Sequence, residues 1–371
     1  MKLRKDKWKK VKIGGFTNIT TGKLNSSSAD NNGIYPFFTC SKDILWINHF
    51  AYDCEALLLA GNNATADYDV KYYKGKFNAY QRTYIITIPN KNIEYAYLKI
   101  LLEKNLAFLK ESSIGTQTKY LKLGMIQNIE IPLPPLDEQE RIVGLFQSIE
   151  QSIIQVEGQE KNLKSLQKTL SNGLVSNPPV FGNLLTSKTS EVSFGDVVEC
   201  IEEHDKKPLE HGMTRFVGLE NIEPENFSLQ GFGNIENGTT FTKRFAKGDV
   251  LFGKRRAYLK KVAVADFDGI CSSDILVFRA IKEKILPELL PFYVSSDAFM
   301  NLAVSTSAGS LSPRTKWRDL AGFQLSIPNI EIQKKIVDLL KQLSQSLQLL
   351  GQQKETLKKL KQKLLNEILG E

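Results

Sequence analysis

Asn177, Pro178, Pro179 and Val180 spell NPPV, one residue away from the NPP-aromatic tetrapeptide with which adenine methyltransferases hold the amino group of a flipped base. That chemistry needs a buried strand before the motif, an aromatic ring in fourth place to stack the base, and an upstream glycine-rich turn for S-adenosylmethionine. Here the motif follows a long helical stretch, its fourth residue is valine, and no glycine-rich strand-to-helix turn precedes it, so the segment reads as a linker. Gly231-Phe232-Gly233 is an isolated GxG with no helix signal behind it, and neither a GK[ST] phosphate loop nor a GxSxG elbow occurs. Asp69 to Lys71 and Asp205 to Lys207 are D-x-K triplets of the kind metal nucleases use, but neither has a partner carboxylate on a preceding strand. Cys40, Cys54, Cys200 and Cys271 form no CxxC pair and read as reduced, structural thiols. His49, His204 and His211 stand in no ligand motif and read as solvated or hydrogen-bonded. No catalytic, cofactor-binding or metal-binding residue is assigned, and no cofactor is expected.

What the chain offers instead is cations and amides in loops. The sharpest cluster is Lys254, Arg255 and Arg256, with Lys260 and Lys261 close behind, directly after the apolar run from Asp249 to Phe252. Arginine makes the bidentate contacts that read guanine and lysine mainly neutralises phosphate, so such a loop suits a DNA groove; the alternative is a solvated hairpin. A second set lies in GNNATADYDV, where Asn62 and Asn63 are of the type that contacts adenine edges. Lys71, Tyr73, Lys74, Lys76, Gln81 and Arg82 follow in an aromatic and basic stretch whose tyrosines serve either contact or core. The loops from Gly115 to Lys119 and from Gly309 to Lys316 add hydroxyls, amides, Lys119, Arg314 and Lys316 for a phosphate backbone, or are plain turns before a final strand. Forty-nine basic against 41 acidic residues give a net charge of +8, compatible with a polyanion. Most of that excess sits in the first twelve residues, a basic tail that solvent alone can explain, so the total is weak support.

The elements that must position these loops come from a repeat. Residues 131–174 and 325–368 align without a gap at an offset of 194, pairing Pro134 with Pro328, Gln139 with Gln333 and Ile142-Val143 with Ile336-Val337. Each copy carries an apolar residue every seven positions: Ile142, Ile149, Val156, Leu163 and Leu170, then Ile336, Leu343, Leu350, Leu357 and Leu364. This is coiled-coil periodicity. The companion positions taken three residues later are Leu145, Ser152, Gln159 and Leu166, then Leu339, Ser346, Gln353 and Leu360. Their matched polar members either set the register or lie at the seam's edge. Proline before each stretch, and Gly173 after the first, bound helices of roughly 33 residues, about 50 Å long. Upstream of each lies a mixed α/β region; Glu55 and Asp249 before apolar strands, and Gly115 and Gly309, keep the same offset of 194 while the intervening sequence diverges. Two related scaffolds with different surfaces imply two related binding tasks on two different targets. If a pseudo-twofold axis relates the halves, the helices pair antiparallel and space two readers by about one DNA turn or somewhat more.

At 371 residues the chain is long enough for two or three cores, and 42% hydrophobic with 24% charged residues is an ordinary folded composition. No apolar run approaches the roughly 20 residues of a membrane helix, and the basic start leads into Gly14 and Gly15 rather than an apolar signal core, so a cytoplasmic location away from membranes is expected.

With IPLPPLDEQERIV leading into a long helix, a second domain from about 190 and a second such helix at the C-terminus, the chain resembles the specificity subunit of Type I restriction and modification systems over essentially its whole length. IPNIEIQ, the second entry, departs from the first at several positions. The resemblance implies an α+β fold of two α/β target recognition domains alternating with two conserved helices paired as an antiparallel coiled coil. Residues 1–132 and 178–326 are then the recognition domains, 133–177 the central helix with its linker, and 327–371 the C-terminal helix. It also implies a non-catalytic subunit that reads a bipartite target in double-stranded DNA and recruits two adenine methyltransferase subunits and, for cleavage, restriction subunits. The dissimilar domain surfaces predict an asymmetric target. A self-sufficient DNA adenine methyltransferase and a coiled-coil scaffold without DNA binding are the alternatives.

Overall fold

The computed structural model describes residues 5–89, 92–176, 179–180 and 189–369. The chain divides into two compact units, one of residues 1–155 with 354–371 and one of residues 156–353. Each unit thus joins one globular region to the start of one long helix and the end of the other.

In the first unit the strands are β1 (Lys9–Lys12), β2 (Asn18–Thr21), β3 (Tyr35–Phe38), β4 (Leu45–Ile47), β5 (Tyr52–Ala60), β6 (Asn62–Asn63), β7 (Val70–Ala79), β8 (Thr83–Thr87), β9 (Lys119–Tyr120) and β10 (Glu130–Leu133). The helices are α1 (Tyr95–Lys104), α2 (Leu106–Ser112), α3 (Leu123–Gln127) and the beginning of α4 (Leu136–Val175). Six strands form a sheet in the order β2-β8-β5-β7-β3-β4, antiparallel except for β3 beside β7. The continuous apolar run in β5 marks a central strand buried on both faces, and period-two alternation divides it between two cores. Leu57 and Leu59 pack with Ile86 and with Tyr97, Leu98 and Leu101 of α1, whereas Ala56 and Leu58 pack with Phe38, Phe77 and Ile85.

The second unit contains β11 (Thr189–Ser193), α5 (Phe194–Val197), β12 (Val198–Ile201), β13 (Arg215–Val217), β14 (Gly233–Asn234), β15 (Lys243–Phe245), β16 (Val250–Gly253), β17 (Val262–Val264), β18 (Gly269–Cys271) and β19 (Ile275–Ala280). After these come α6 (Leu290–Ser295), α7 (Asp297–Ser305), α8 (Trp317–Leu320), β20 (Gln324–Pro328) and α9 (Ile330–Leu369). One sheet runs β12-β19-β16-β17, the counterpart of β2-β8-β5-β7. Its central strands divide in the same way: Val250, Phe252, Leu276 and Phe278 face one core, and Leu251, Ile275 and Val277 the other. Divergence begins at the next strand. The run that is one continuous β7 in the first unit is interrupted here into β17 and β18, and β18 joins a separate sheet, β14-β13-β18-β15, pairing parallel with β13.

Both globular regions hand over to their long helix identically. β1 pairs antiparallel with β10 and β11 with β20, so the first and last strands of each region lie side by side before the helix starts. The Gln139 amide is fully buried; its Nε2 donates to the carbonyls of Pro134 (2.9 Å) and Asn92 (3.0 Å), and its Oε1 accepts from the Glu94 N–H (2.9 Å). Gln333 repeats this with the carbonyls of Pro328 (2.9 Å) and Lys284 (3.0 Å) and the Leu286 N–H (2.8 Å). The shared glutamine is therefore a bolt between helix, strand end and loop.

The long helices pair antiparallel. In the first unit the opening turns of α4, with Ile142, Val143 and Phe146, share a core with Leu364, Leu365, Ile368 and Leu369 at the end of α9, and Lys361 Nζ donates to Glu150 at 2.7 Å. In the second unit the opening turns of α9, with Ile336, Val337, Leu340 and Leu343, share a core with Leu163, Leu170 and Leu174 of α4. Each helix has 40 residues, about 60 Å at 1.5 Å per residue, rather than the expected 33. Gly173 does not stop α4: the helix runs on to Val175, and the glycine is needed because a Cβ there would sit 2.1 Å from the Val180 carbonyl oxygen. The expected linker NPPV is only partly visible, because Asn177 and Pro178 lie outside the described residues.

All ten residues of the expected seven-residue spacing are buried or half-buried. Of the companions expected three residues on, Leu145 packs against the first core and Ser152 is half-buried, but the other six are exposed. Leu166, Leu339 and Leu360 are 46%, 46% and 42% exposed, and Gln159, Ser346 and Gln353 also face solvent. Ser152 and Ser346 donate to carbonyls of their own helix, of Ser148 and Gln342. The seam instead uses positions four residues on: Phe146, Ile153, Glu160, Gln167 and Leu174 in α4, and Leu340, Leu347, Lys354, Lys361 and Ile368 in α9. These carry three apolar residues per helix, where the expected companions carry two, and burial follows the richer stripe. Matched polar interruptions do occur in this stripe, but at Glu160 and Gln167 and at Lys354 and Lys361 rather than at the expected Ser152 and Gln159 and Ser346 and Gln353.

Candidate nucleic-acid interface

Each unit builds the same two-loop clamp at the end of its central strand. In the first unit β6 leaves β5 and pairs antiparallel with β9, setting Asn62 opposite Tyr120 and Asn63 opposite Lys119. The second loop closes on itself through paired backbone bonds between Ile114 and Tyr120, with Gly115 at φ +105°. In the second unit the Lys254–Arg256 segment leaves β16, and Arg255 forms a bridge with Arg314. There the second loop closes through paired bonds between Ala308 and Arg314, with Gly309 at φ +115°. Both closures sit at the sequence offset of 194, and the positive φ explains why glycine occupies this point in both.

The side chains differ completely. In the first clamp Asn62, Asn63 and Lys119 come together, and Asn63 Oδ1 accepts from the Thr65 N–H (2.8 Å) and hydroxyl (2.9 Å), which fixes its amide. Tyr72, Lys74 and Lys76 share a face of β7. Glu55 accepts from Tyr72 (2.8 Å) and pairs with Lys74 (3.1 Å); the Tyr72 hydrogen bond, with Lys74, outweighs burial and lowers the Glu55 pKa. Lys76 Nζ lies 4.7 Å from the Phe50 ring centre. Gln81 donates to Asn25 (2.8 Å), and Arg82 is exposed with no hydrogen bond or ion pair at its guanidinium among the described residues. Two of the ambiguous residues are structural: Tyr73 packs against Phe38 and Phe77, and Lys71, mostly buried, holds Asp69 and the Ser41 carbonyl.

The second clamp is organised by a residue absent from the expected set. Asp274 accepts from Arg314 Nε at 2.7 Å and from Arg255 NH1 at 3.3 Å, so one carboxylate holds two guanidiniums together. Burial opposes its ionisation, but Arg314 and then Arg255 prevail and its pKa is lowered. Arg256 donates from its N–H to the Pro313 carbonyl (2.8 Å), and Lys254 accepts at its carbonyl from the Thr315 N–H (3.2 Å). Lys254 is half-buried, and desolvation followed by the neighbouring Lys243 pushes its pKa down. Lys316 is exposed at the end of the clamp. Arg256 and Lys260 adopt φ +53° and +52°, a left-handed conformation that costs a non-glycine residue of order 1 kcal/mol and collects at functional loops. Lys260 departs from the group: its Nζ donates to Asp297 (2.9 Å), which also pairs with Lys168 of α4 (3.2 Å) and accepts from Asn172 (2.9 Å). Lys260, foremost, with Asn172 and Lys168, lowers the Asp297 pKa to about 2 against the cost of burial.

No group of three or more His, Cys, Asp or Glu side chains among the described residues is placed to hold a metal. Of the D-x-K triplets, Asp69 pairs with its own Lys71, and Asp205 accepts from the Lys207 N–H and from His211. All four cysteines are unpaired, and burial pushes Cys200 and Cys271 up to about 12, as inert thiols require. No helix among the described residues is long and apolar enough to cross a membrane.

The family model described as "Type I restriction modification DNA specificity domain" matches residues 5–165 and 233–359. The chain belongs to this family. It is 31% identical over 370 residues to the Type I restriction enzyme EcoDI specificity subunit of Escherichia coli, covering 91% of this chain and 81% of that one. It is 23% identical over 398 residues to the MjaVIII specificity subunit of Methanocaldococcus jannaschii, covering 98% and 92%. Its fold is similar to that of the Type I restriction-modification S subunit from M. genitalium, with a TM-score of 0.64 at 13% identity over 100% of this chain and 98% of the other.

Proposed function

We propose that the chain is the DNA-reading subunit of a Type I restriction-modification complex, in which it selects a site and its partners carry out the chemistry. The observation that carries this is the clamp built twice from the same backbone and dressed differently: amides with a lysine and tyrosine in one unit, an arginine fork with lysines in the other. Amide side chains suit adenine edges and the arginine fork suits guanine or phosphate, so the two clamps take different halves of a bipartite, asymmetric target. Phosphate contacts come from Lys74, Lys76, Arg82, Lys254, Arg256, Arg314 and Lys316. The exposed flanks of the paired helices receive two adenine methyltransferase subunits, and restriction subunits join for cleavage. The chain itself is non-catalytic and works in the cytoplasm, where its DNA is.

The test is a map of methylated adenines in a host with and without this chain. A two-part motif should lose methylation when the chain is deleted. Unchanged methylation, or methylation by the purified chain alone, would contradict the proposal.

A further inference from the structure

Leu311 is 87% exposed, the highest value among the large apolar side chains of the described residues. Single exposed leucines are common and need no explanation. This one stands at the tip of a held loop. The backbone beneath it is closed by the two Ala308–Arg314 bonds (3.0 Å each), and Arg256 donates to the Leu311 carbonyl itself at 3.4 Å and to the Pro313 carbonyl at 2.8 Å. Arg314 donates to the Ser312 carbonyl at 3.3 Å. Two arginines of the clamp therefore fix the backbone on which the leucine is displayed, and Pro313 removes further freedom. A side chain offered to water by a rigid support, between cations, has the form of a tool for a polyanion with an apolar interior. Double-stranded DNA is that: phosphates outside, stacked bases within.

We infer that Leu311 is an apolar wedge that enters the base stack at one step of the half-site taken by the second clamp, an inference that rests on the DNA-reading function proposed above. Insertion of an aliphatic side chain partly unstacks a step and kinks the duplex; removing the leucine from water and closing arginines on the flanking phosphates offset that cost. Specificity then arises at the second half-site partly from how easily the step deforms, with pyrimidine–purine steps favoured. The position equivalent to Leu311 at the offset of 194 is Gln117, a polar residue, so the first clamp carries no aliphatic side chain at this loop tip and this distortion is confined to one half of the target.

The test uses the chain assembled with its methyltransferase subunits and a duplex carrying the mapped target, with 2-aminopurine placed in turn at each position of both half-sites. One step in the second half-site, distinct from any adenine flipped for methylation, should brighten on binding. Leu311→Ala and Leu311→Gln should abolish that signal and weaken binding about tenfold, whereas Leu311→Met should retain it. Unchanged urea unfolding of the variant chains and their unchanged assembly with the methyltransferase subunits report that the variants fold. A complex that binds its target without such a signal, or a Leu311→Ala variant that keeps both signal and affinity, would overturn the wedge. A complex that fails to bind the target at all would instead overturn the DNA-reading function.

Discussion

At the scale of single residues the two clamps predict separable phenotypes. Arg314 is exposed at the edge of the clamp, and its guanidinium donates to Asp274 and to the Ser312 carbonyl. Arg314→Ala should reduce the slope of log affinity against log salt by about one, measured by gel shift of the assembled complex over a salt series, because one phosphate loses its cation. Asn63 presents an amide already oriented by Thr65. Asn63→Ala should leave the salt slope unchanged but cost about 1–3 kcal/mol and relax one base in the first half-site, read by competition among substituted duplexes. Asp297 gives a pH prediction. Its folded pKa of about 2 lies below its ordinary value of 3.8, so its contribution to stability is present above pH 4 and lost as pH falls through 2. Lys260→Ala should flatten that acid limb in urea unfolding of the chain; an unchanged limb would contradict the assignment of the shift to this ion pair.

At the scale of elements, the glutamine bolts and the seam make opposite predictions. Gln139→Ala or Gln333→Ala removes one buried and two part-buried hydrogen bonds and should destabilise the chain by about 1–3 kcal/mol in chemical denaturation. Gln159→Ala and Gln353→Ala, which lie outside the seam, should change stability by less than about 0.5 kcal/mol. The helices were legible because proline entry and seven-residue spacing are local signals that packing reinforces. The companion row differs from the expected one because a seven-residue period allows a partner stripe on either side of the marked residues, and only the count of apolar residues at each decides. The strand cores were equally legible, since the runs around Leu57 and Leu251 have nowhere to go but a sheet's centre. The clamps were half legible. Loop composition pointed to Arg255 and Arg314 separately, but their meeting at Asp274 joins residues 40 positions apart by tertiary structure and left no trace in spacing. Lys71 and Lys260 show the converse: lysine near a reading loop can be a structural tie, and sequence does not say which carboxylate it finds.

At the scale of the whole molecule the chain is one design used twice. Duplication kept what the scaffold needs, namely the paired entry strands, the buried glutamine, the heptad seam and the glycine of the second loop, and released what touches the target. Continuity of β7 in the first unit against the break between β17 and β18 in the second shows how far even the sheet drifted once its inner strands were retained. The independence of the two surfaces is the central claim, and exchange of residues 190–324 for the equivalent segment of a relative with a different target tests it most directly. Sequencing of methylated adenines in cells carrying the chimera should show one half of the recognition motif replaced by the relative's and the other half unchanged. Alteration of both halves, or retention of the original motif, would contradict it.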